Sequence, residues 1–263
     1  MDLNLNGKNA LVCGSSKGIG RAAAIQLASL GASVTLVSRS PDKMSAVIKS
    51  MDMDISKGQD HNYLVADFTN QQELIKKVRT LSLTQPYHIL INNTGGPAGG
   101  NVLDADPADF IQAINNHLIC NQLLTQLLVP GMKDAGFGRI INIISISVKI
   151  PIPGLGVSNT TRGAVASWAK TLAGELGPHG ITVNNVLPGF TATERLQELY
   201  GPKAKEAGQS YEEYMEGLAN SIPANRIGDP LEVGAAVAFL ASPIAGYING
   251  INLPVDGGMV PAL

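Results

Sequence analysis

The chain is poor in cysteine and in charge of either sign. Its 263 residues include only two cysteines, Cys13 and Cys120, which form neither a disulfide framework nor a metal site. Nineteen basic and 21 acidic residues leave a net charge of −2, with no long run of one sign. Nucleic acids and anionic membranes bind positively charged surfaces, which this composition does not provide. We therefore expect a small neutral or anionic ligand.

Two further features are missing. No stretch approaches about 18 consecutive apolar residues, so a membrane-spanning helix is not predicted. The first residues, MDLNLNGKNALV, have neither the basic start nor the apolar core of a secretory signal peptide. Together with the scarcity of cysteine, these absences predict a cytoplasmic protein without nucleic-acid or membrane partners.

Apolar runs alternate with helix-compatible stretches along most of the chain. This alternation predicts one α/β domain over residues 1–263, of the Rossmann type, with a doubly wound parallel sheet and helices on both faces. The predicted strands are residues 9–13, 32–37, 63–66, 88–91, 139–144 and 181–186, with an edge strand within 248–255. The polar, helical segment 193–225 interrupts the pattern, and we expect it to form a small helical cap over a substrate site.

A glycine-rich loop, GSSKGIG at residues 14–20, connects the first strand to its helix. Gly14, Gly18 and Gly20 would let the loop turn sharply and let backbone N–H groups approach a pyrophosphate at the helix N-terminus. Ser16, Lys17 and Ile19 lie in the same loop. Taken alone, the loop could also be a tight turn without a ligand.

The spacing of this loop resembles the TGxxxGIG motif of the short-chain dehydrogenase/reductase family, with Cys13 in place of Thr. Further motifs follow in that family's order: Asp67 and Phe68 in ADF, Asn93 and Gly95 in NNTGG, Ser145 at the end of INIIS, Pro188, Gly189, Thr191 and Thr193 in LPGFTAT, and VDGG at 255–258. The resemblance covers essentially the whole chain and is strongest to the 3-oxoacyl-carrier-protein reductase branch. It implies a homotetrameric oxidoreductase that transfers hydride between a nicotinamide and a ketone or alcohol.

The end of the second strand indicates which nicotinamide cofactor is bound. An acidic residue there would bind the ribose 2′-hydroxyl and repel a 2′-phosphate, whereas a basic residue attracts the phosphate. Ser38 occupies this position and Arg39 follows it, while Lys17 adds a second positive charge. We predict NADP(H) rather than NAD(H); the alternative is that both cations are merely solvated.

The chain departs from the family at the catalytic residues. The family's Tyr, thirteen residues after the catalytic Ser, and its Lys, four residues later, are replaced by Ser158 and Arg162. The family's Asn corresponds to His117, although Asn116 is only one residue away. In the usual mechanism, Tyr donates the proton, Lys lowers the pKa of the phenol and holds the nicotinamide ribose, and Ser orients the substrate.

The replacements do not reproduce this chemistry. Arg162 can replace Lys as a cation and as a hydrogen-bond donor to the ribose hydroxyls of the cofactor, but it cannot exchange a proton at neutral pH. The Ser158 hydroxyl is a far weaker acid than a phenol. Ser158 and Arg162 could instead merely hold the cofactor and a helix end. His117 could protonate a developing alkoxide through a water, and Lys149 is a second candidate. Both also have ordinary interpretations, as a packed helix histidine and a solvated lysine. Alternatively, Ser145, Ser158 and Arg162 could stabilise the oxyanion without a proton donor of suitable pKa.

The sequence is compatible with three functions. The first is an NADP(H)-dependent reductase of a ketone or 3-oxoacyl group, or the reverse oxidation. The second is a weak or inactive NADP(H)-binding protein with a regulatory or subunit role. The third, isomerisation or elimination with His117 as base, has no positive signal in the sequence.

Overall fold

A seven-stranded, all-parallel sheet organises the computed structural model, which describes residues 2–51 and 53–261. The strands are β1 Asn9–Cys13, β2 Ser33–Ser38, β3 Asn62–Val65, β4 Ile89–Asn92, β5 Gly138–Ile143, β6 Ile181–Pro188 and β7 Asn252–Val255. Their order across the sheet is β3-β2-β1-β4-β5-β6-β7. Because this is the doubly wound order of a Rossmann-type fold, the predicted fold class is confirmed.

Helices connect successive strands and cover both faces of the sheet. They are α1 Gly18–Ser29, α2 Pro41–Lys49, α3 Gln71–Ser82, α4 Pro107–Ile114, α5 Cys120–Asp134, α6 Gly156–Leu176, α7 Glu194–Glu206, α8 Tyr211–Asn220 and α9 Pro230–Ala241. Two apolar layers result. One lies under α1 and α9, and the other lies under α3, α5 and α6. The first layer is tightly packed, since a Cβ on Gly234 of α9 would lie 2.8 Å from the Ala22 carbonyl oxygen of α1.

The last strand is shorter than the sequence predicts. The apolar run begins at residue 248, but β7 begins at Asn252. Gly250 adopts a left-handed φ of +72°, which breaks the extended conformation. The side chain of Asn249 accepts a hydrogen bond from the Val183 N–H and so occupies the edge of β6 before the strand pairing starts.

A row of asparagine side chains crosses the sheet from β4 to β7. Asn92, Asn142, Asn185 and Asn252 are neighbours in register on β4 to β7, and each side-chain amide donates to the next carbonyl at 2.8 Å. The row satisfies both polar atoms of the buried Asn142 and Asn185 amides, which would otherwise be costly to bury. These side-chain hydrogen bonds add to the backbone ladder that links β4, β5, β6 and β7.

Two local departures from regular α-helix and strand alternation occur near the cavity described below. Residues Asn115–Ile119, between α4 and α5, form a π-helical segment that contains Asn116 and His117. The helices α7 and α8 are inserted between β6 and α9, within the segment 193–225. Among the residues described, no helix combines the length and hydrophobicity needed to cross a membrane.

Candidate active site

A cavity of about 650 Å³ opens at the carboxyl-terminal edge of the sheet. Residues that directly follow β1, β2, β4, β5 and β6 line it, because all parallel strands end at the same edge. The order of connections reverses between β1 and β4, and such a switch point leaves a crevice between neighbouring loops. The fold therefore places the cavity where ligands bind in open α/β sheets.

Nearly all site residues expected from the sequence meet in this cavity. Its lining includes Gly14, Ser16, Lys17, Gly18, Ile19, Ser38, Arg39, Asp67, Phe68, Asn93, Gly95, Ser145, Ser158, Arg162, Pro188, Gly189, Thr191 and Thr193. Asn116 lines it as well, whereas Gly20, His117 and Lys149 do not.

The glycine-rich loop is held in a conformation that only glycine tolerates. Gly14 has a φ of +58°, and a Cβ there would lie 2.5 Å from the Asn93 carbonyl oxygen. Gly20 lies behind the loop, where a Cβ would approach the Gly14 carbonyl oxygen to 2.3 Å. The Asn93 amide donates to the carbonyls of Cys13 and Gly14 at 3.3 and 3.2 Å, which ties the loop to β4.

The N-terminus of α1 suits an anion. Its N-cap residue, Lys17, makes no side-chain cap, and the first turn contains no acidic residue. The first backbone N–H groups of a helix lack intrahelical partners and carry the positive end of the helix dipole. Together with the close-packed glycines, this end of the cavity fits the pyrophosphate of a dinucleotide.

Cations flank the same end of the cavity, each paired with a carboxylate. Arg39 Nη1 lies 3.8 Å from Asp67 Oδ2, and Lys17 Nζ lies 2.5 Å from Glu194 Oε2. The hydrogen bond to Glu194 raises the pKa of Lys17. These side chains are substantially exposed, so the pairs contribute little to stability and can exchange partners. A 2′-phosphate could therefore take the place of the carboxylates.

Three candidate catalytic side chains, Ser145, Ser158 and Arg162, line another part of the same cavity, the substrate end. Ser145, which follows β5, accepts a hydrogen bond from the Ser147 N–H at 3.1 Å, and this leaves its own hydroxyl hydrogen free to donate. Ser158 and Arg162 lie one turn apart on α6 and both line the cavity. They therefore form a group of hydrogen-bond donors beside a positive charge.

Arg162 is a buried cation. Its Nη1 donates to the Ile143 carbonyl at 2.8 Å, while its buried Nε has no hydrogen-bond partner among the residues that the structure describes. Burial, and secondarily the charge of Arg195, lower the pKa of Arg162 to about 10. Arg162 consequently stays protonated at neutral pH and can stabilise negative charge without transferring its proton.

His117 lies behind the cavity wall. It is only 3% exposed, and its Nδ1 is 2.6 Å from the hydroxyl of Thr94, which does line the cavity. Burial, followed by the charges of Arg162 and Arg195, holds the pKa of His117 well below 6.5. The imidazole is therefore neutral at neutral pH, so any proton it exchanged with the cavity would have to pass through Thr94.

Replacement of His117 should alter the pH dependence of stability. Above about pH 6.5 the imidazole is neutral in both the folded and the unfolded chain and contributes no slope. Below that pH the unfolded chain binds a proton that the folded chain excludes, so the free energy of unfolding falls by up to about 1.4 kcal/mol per pH unit. His117→Asn should remove this contribution, as measured by urea unfolding from about pH 5 to about pH 8.

The matched control is His179→Asn, which alters an exposed imidazole. His88, whose pKa is also lowered by burial, retains its contribution in both variants. Equal slopes below pH 6.5 for the wild type and His117→Asn would contradict the expected linkage.

The structure adds charged residues that sequence reasoning missed. Glu194, Arg195 and Glu198 of α7 line the cavity. Arg195 Nη2 donates to the Pro97 carbonyl, which lies in the loop after β4. One feature of the sequence could have drawn attention to Arg195. It is a basic residue in the first turn of a helix, where the helix dipole favours an acidic residue.

The helical insertion contributes an apolar wall. Leu196, Leu199 and Tyr200 of α7 line the cavity, and the Tyr200 ring packs edge-on against Phe190 at 5.5 Å. The apolar side chains of α8, which are Tyr211, Tyr214, Met215 and Leu218, lie outside the lining. Only the first helix of the insertion therefore borders the cavity directly.

Comparison with known proteins extends this picture along the whole chain. A family model described as Enoyl-(Acyl carrier protein) reductase matches residues 14–260. The 3-oxoacyl-[acyl-carrier-protein] reductase FabG of Haemophilus influenzae is 33% identical, with 97% of this chain and 99% of the relative covered. Gluconate 5-dehydrogenase of Gluconobacter oxydans is 30% identical, with coverage of 99% and 97%.

Solved structures show the same architecture. The structure of L-sorbose reductase from Gluconobacter frateurii, complexed with NADPH and L-sorbose, has a TM-score of 0.92 and 29% identity over the full length of both chains. The NADPH-dependent reductase YwfH, involved in bacilysin biosynthesis, has a TM-score of 0.89 and 29% identity, with 97% of this chain and 99% of that chain covered.

Proposed function

Because the chain belongs to the short-chain dehydrogenase/reductase family, we propose that it is an NADP(H)-dependent oxidoreductase acting on a ketone or the corresponding alcohol. The observation that carries this proposal is that one cavity is lined by three sets of residues. These are the glycine-rich loop 14–20, the cations Lys17 and Arg39, and the group Ser145, Ser158 and Arg162. Bound NADPH supplies the hydride. The 3-oxoacyl-[acyl-carrier-protein] reductase, the gluconate 5-dehydrogenase and the L-sorbose reductase among the similar proteins support a ketone or the corresponding alcohol as the substrate class.

The chain's own residues have separate tasks in this reaction. The loop 14–20 and the N-terminus of α1 would hold the pyrophosphate of the cofactor, and Lys17 and Arg39 would hold its 2′-phosphate. Ser145 and Ser158 donate hydrogen bonds to the carbonyl oxygen as negative charge develops on it. Arg162 stabilises that charge from beside the two hydroxyls.

The neutral state of His117 favours oxyanion stabilisation over direct acid catalysis. A buried imidazole whose pKa is far below 6.5 seldom carries the extra proton that a general acid must donate. We therefore assign His117 to positioning Thr94 and assign the final protonation of the alkoxide to water. Lys149 is exposed and outside the cavity, so we assign it no role in the reaction.

We also propose that the protein is a cytoplasmic homotetramer and that its segment 193–225 covers the bound substrate. The cap is supported by Leu196, Leu199 and Tyr200 at the cavity wall. The tetramer follows from the family resemblance, and Ile244 and Tyr247, which are exposed and three residues apart, are candidates for an interface between copies.

A direct test is NADPH oxidation with a panel of ketones, polyol-derived ketoses and 3-oxoacyl thioesters. Turnover with any of these supports the proposal. Tight NADPH binding without turnover across the panel would instead favour the second function considered above, a cofactor-binding protein without catalysis.

Arg39→Ala should reduce the preference for NADPH over NADH by about 10- to 100-fold, because a hydrogen bond to a charged phosphate is lost. Affinity for NADH, which lacks that phosphate, should change little. Fluorescence titration with both nucleotides measures the ratio. Arg79→Ala, at an exposed site on α3 outside the cavity lining, is the control. An unchanged ratio in Arg39→Ala would exclude the assigned role.

A further inference from the structure

Two guanidinium groups meet at the substrate end of the cavity, although they come from distant parts of the chain. A Cβ built on Gly96 would lie 3.4 Å from Arg195 Nη2 and 3.6 Å from Arg162 Nη2. Arg162 belongs to α6, Arg195 to α7, and Gly96 to the loop after β4. Both arginines line the cavity.

Neither guanidinium is fully neutralised by the protein. Within the described parts of the chain, Arg162 has no ion pair, and its buried Nε has no hydrogen-bond partner. Arg195 lies 3.6 Å from Glu198, but Glu198 is also 3.7 Å from Lys17 and so divides its charge. Two adjacent cations, one of them buried, repel each other and favour an anion between them.

Apart from Glu198, the acidic residues that line the cavity pair with cations of its cofactor end, where the loop 14–20, Lys17 and Arg39 lie. Asp67 faces Arg39, and Glu194 faces Lys17 with Lys43 also near it, 4.0 Å away. His117, behind the wall, is neutral and adds no charge to the substrate end. The substrate end therefore carries an excess of positive charge.

We propose that the substrate bears a carboxylate, which Arg162 and Arg195 bind together while Ser145 and Ser158 contact its ketone oxygen. A planar guanidinium presents paired N–H donors that match the two oxygens of a carboxylate. This inference rests on the proposed function and narrows it to small oxo acids. Arg195 is then a specificity-determining residue contributed by the cap.

The test compares each oxo acid with its uncharged methyl ester: acetoacetate with methyl acetoacetate, and levulinate with methyl levulinate. The wild type should prefer the acid of at least one pair in kcat/KM. Arg195→Met should lower kcat/KM for that acid by about 10- to 100-fold and leave the ester unchanged. Arg195→Lys, which keeps the charge but loses the planar fork, should restore part of the loss.

Lys205→Met is the matched control, since it removes a positive charge from an exposed position on the same helix outside the cavity. Its kinetics should equal those of the wild type. If the wild type has the same kcat/KM for each ester as for its acid, the inference is overturned while the reductase function is unaffected. Weaker NADPH binding by Arg195→Met would also overturn it, because Arg195 would then contact the cofactor.

A binding measurement separates this inference from the reductase proposal. Succinate, which has no ketone, is titrated calorimetrically into the NADPH-loaded wild type and Arg195→Met. If the wild type reduces no ketone but binds succinate through Arg195, the carboxylate site stands and the reductase function fails. If it neither reduces a ketone nor binds succinate, both proposals fail.

Discussion

Combining Ser158→Tyr with Arg162→Lys should raise kcat for an uncharged ketone by about 10²- to 10⁴-fold, the range that a well-placed general acid contributes. The two positions lie one turn apart on α6 and both line the cavity, so a phenol and an amine there would face the same substrate. A phenol with a pKa of about 10 is a much stronger acid than the hydroxyl of Ser158.

An uncharged ketone must be used because Arg162→Lys also alters the proposed carboxylate site. The measurement is steady-state NADPH oxidation by the wild type, the double variant and each single variant. Arg162→Lys alone should not accelerate the reaction, since it supplies no phenol. A double variant that folds, binds NADPH and is no faster than the wild type would show that proton donation does not limit the rate.

Ser145→Ala should lower kcat by about 10²- to 10³-fold with little change in NADPH affinity. It removes a hydrogen-bond donor aimed at the oxygen on which charge develops, and loss of one such donor typically has an effect of this size. Because Ser145 accepts from the Ser147 N–H, its hydroxyl hydrogen can be directed into the cavity. The effect is measured from initial rates under saturating NADPH.

Ser147→Ala is the matched control, because this buried hydroxyl lies two residues away and does not line the cavity. Within residues 2–51 and 53–261, it has no hydrogen-bond partner. Its rate should stay within a few-fold of the wild type. A rate for Ser145→Ala close to that of the wild type would place the oxyanion contact on other residues.

The order of secondary structure could be predicted because parallel strands buried on both faces are continuous apolar runs. The first strand coincides with its predicted residues, and the others begin within one residue of theirs, apart from β7. There, the apolar run continues across a turn at Gly250, whose left-handed φ depends on local packing rather than on hydrophobicity. The asparagine row across β4 to β7 was also missed, since it depends on strand register.

The cofactor end of the cavity was accessible from sequence for a related reason. Gly14, Gly18 and Gly20 lie within seven residues, and their spacing reflects a local requirement for close backbone approach. Arg39 directly follows the second strand, so its position at the sheet edge is set by topology alone. The position of such residues in the site can therefore be predicted from a short segment of sequence.

The sequence by itself determined the Rossmann-type fold, the family and the replacement of Tyr and Lys by Ser158 and Arg162. Only the tertiary structure decided that Arg195 meets Arg162 beside Gly96, and that His117 is buried against Thr94 rather than open to the cavity. The physical reason is that charge state and electrostatic partnership depend on burial and on neighbours from distant segments. The spacing of residues along the chain does not reveal charge states or electrostatic partners, because tertiary packing determines both.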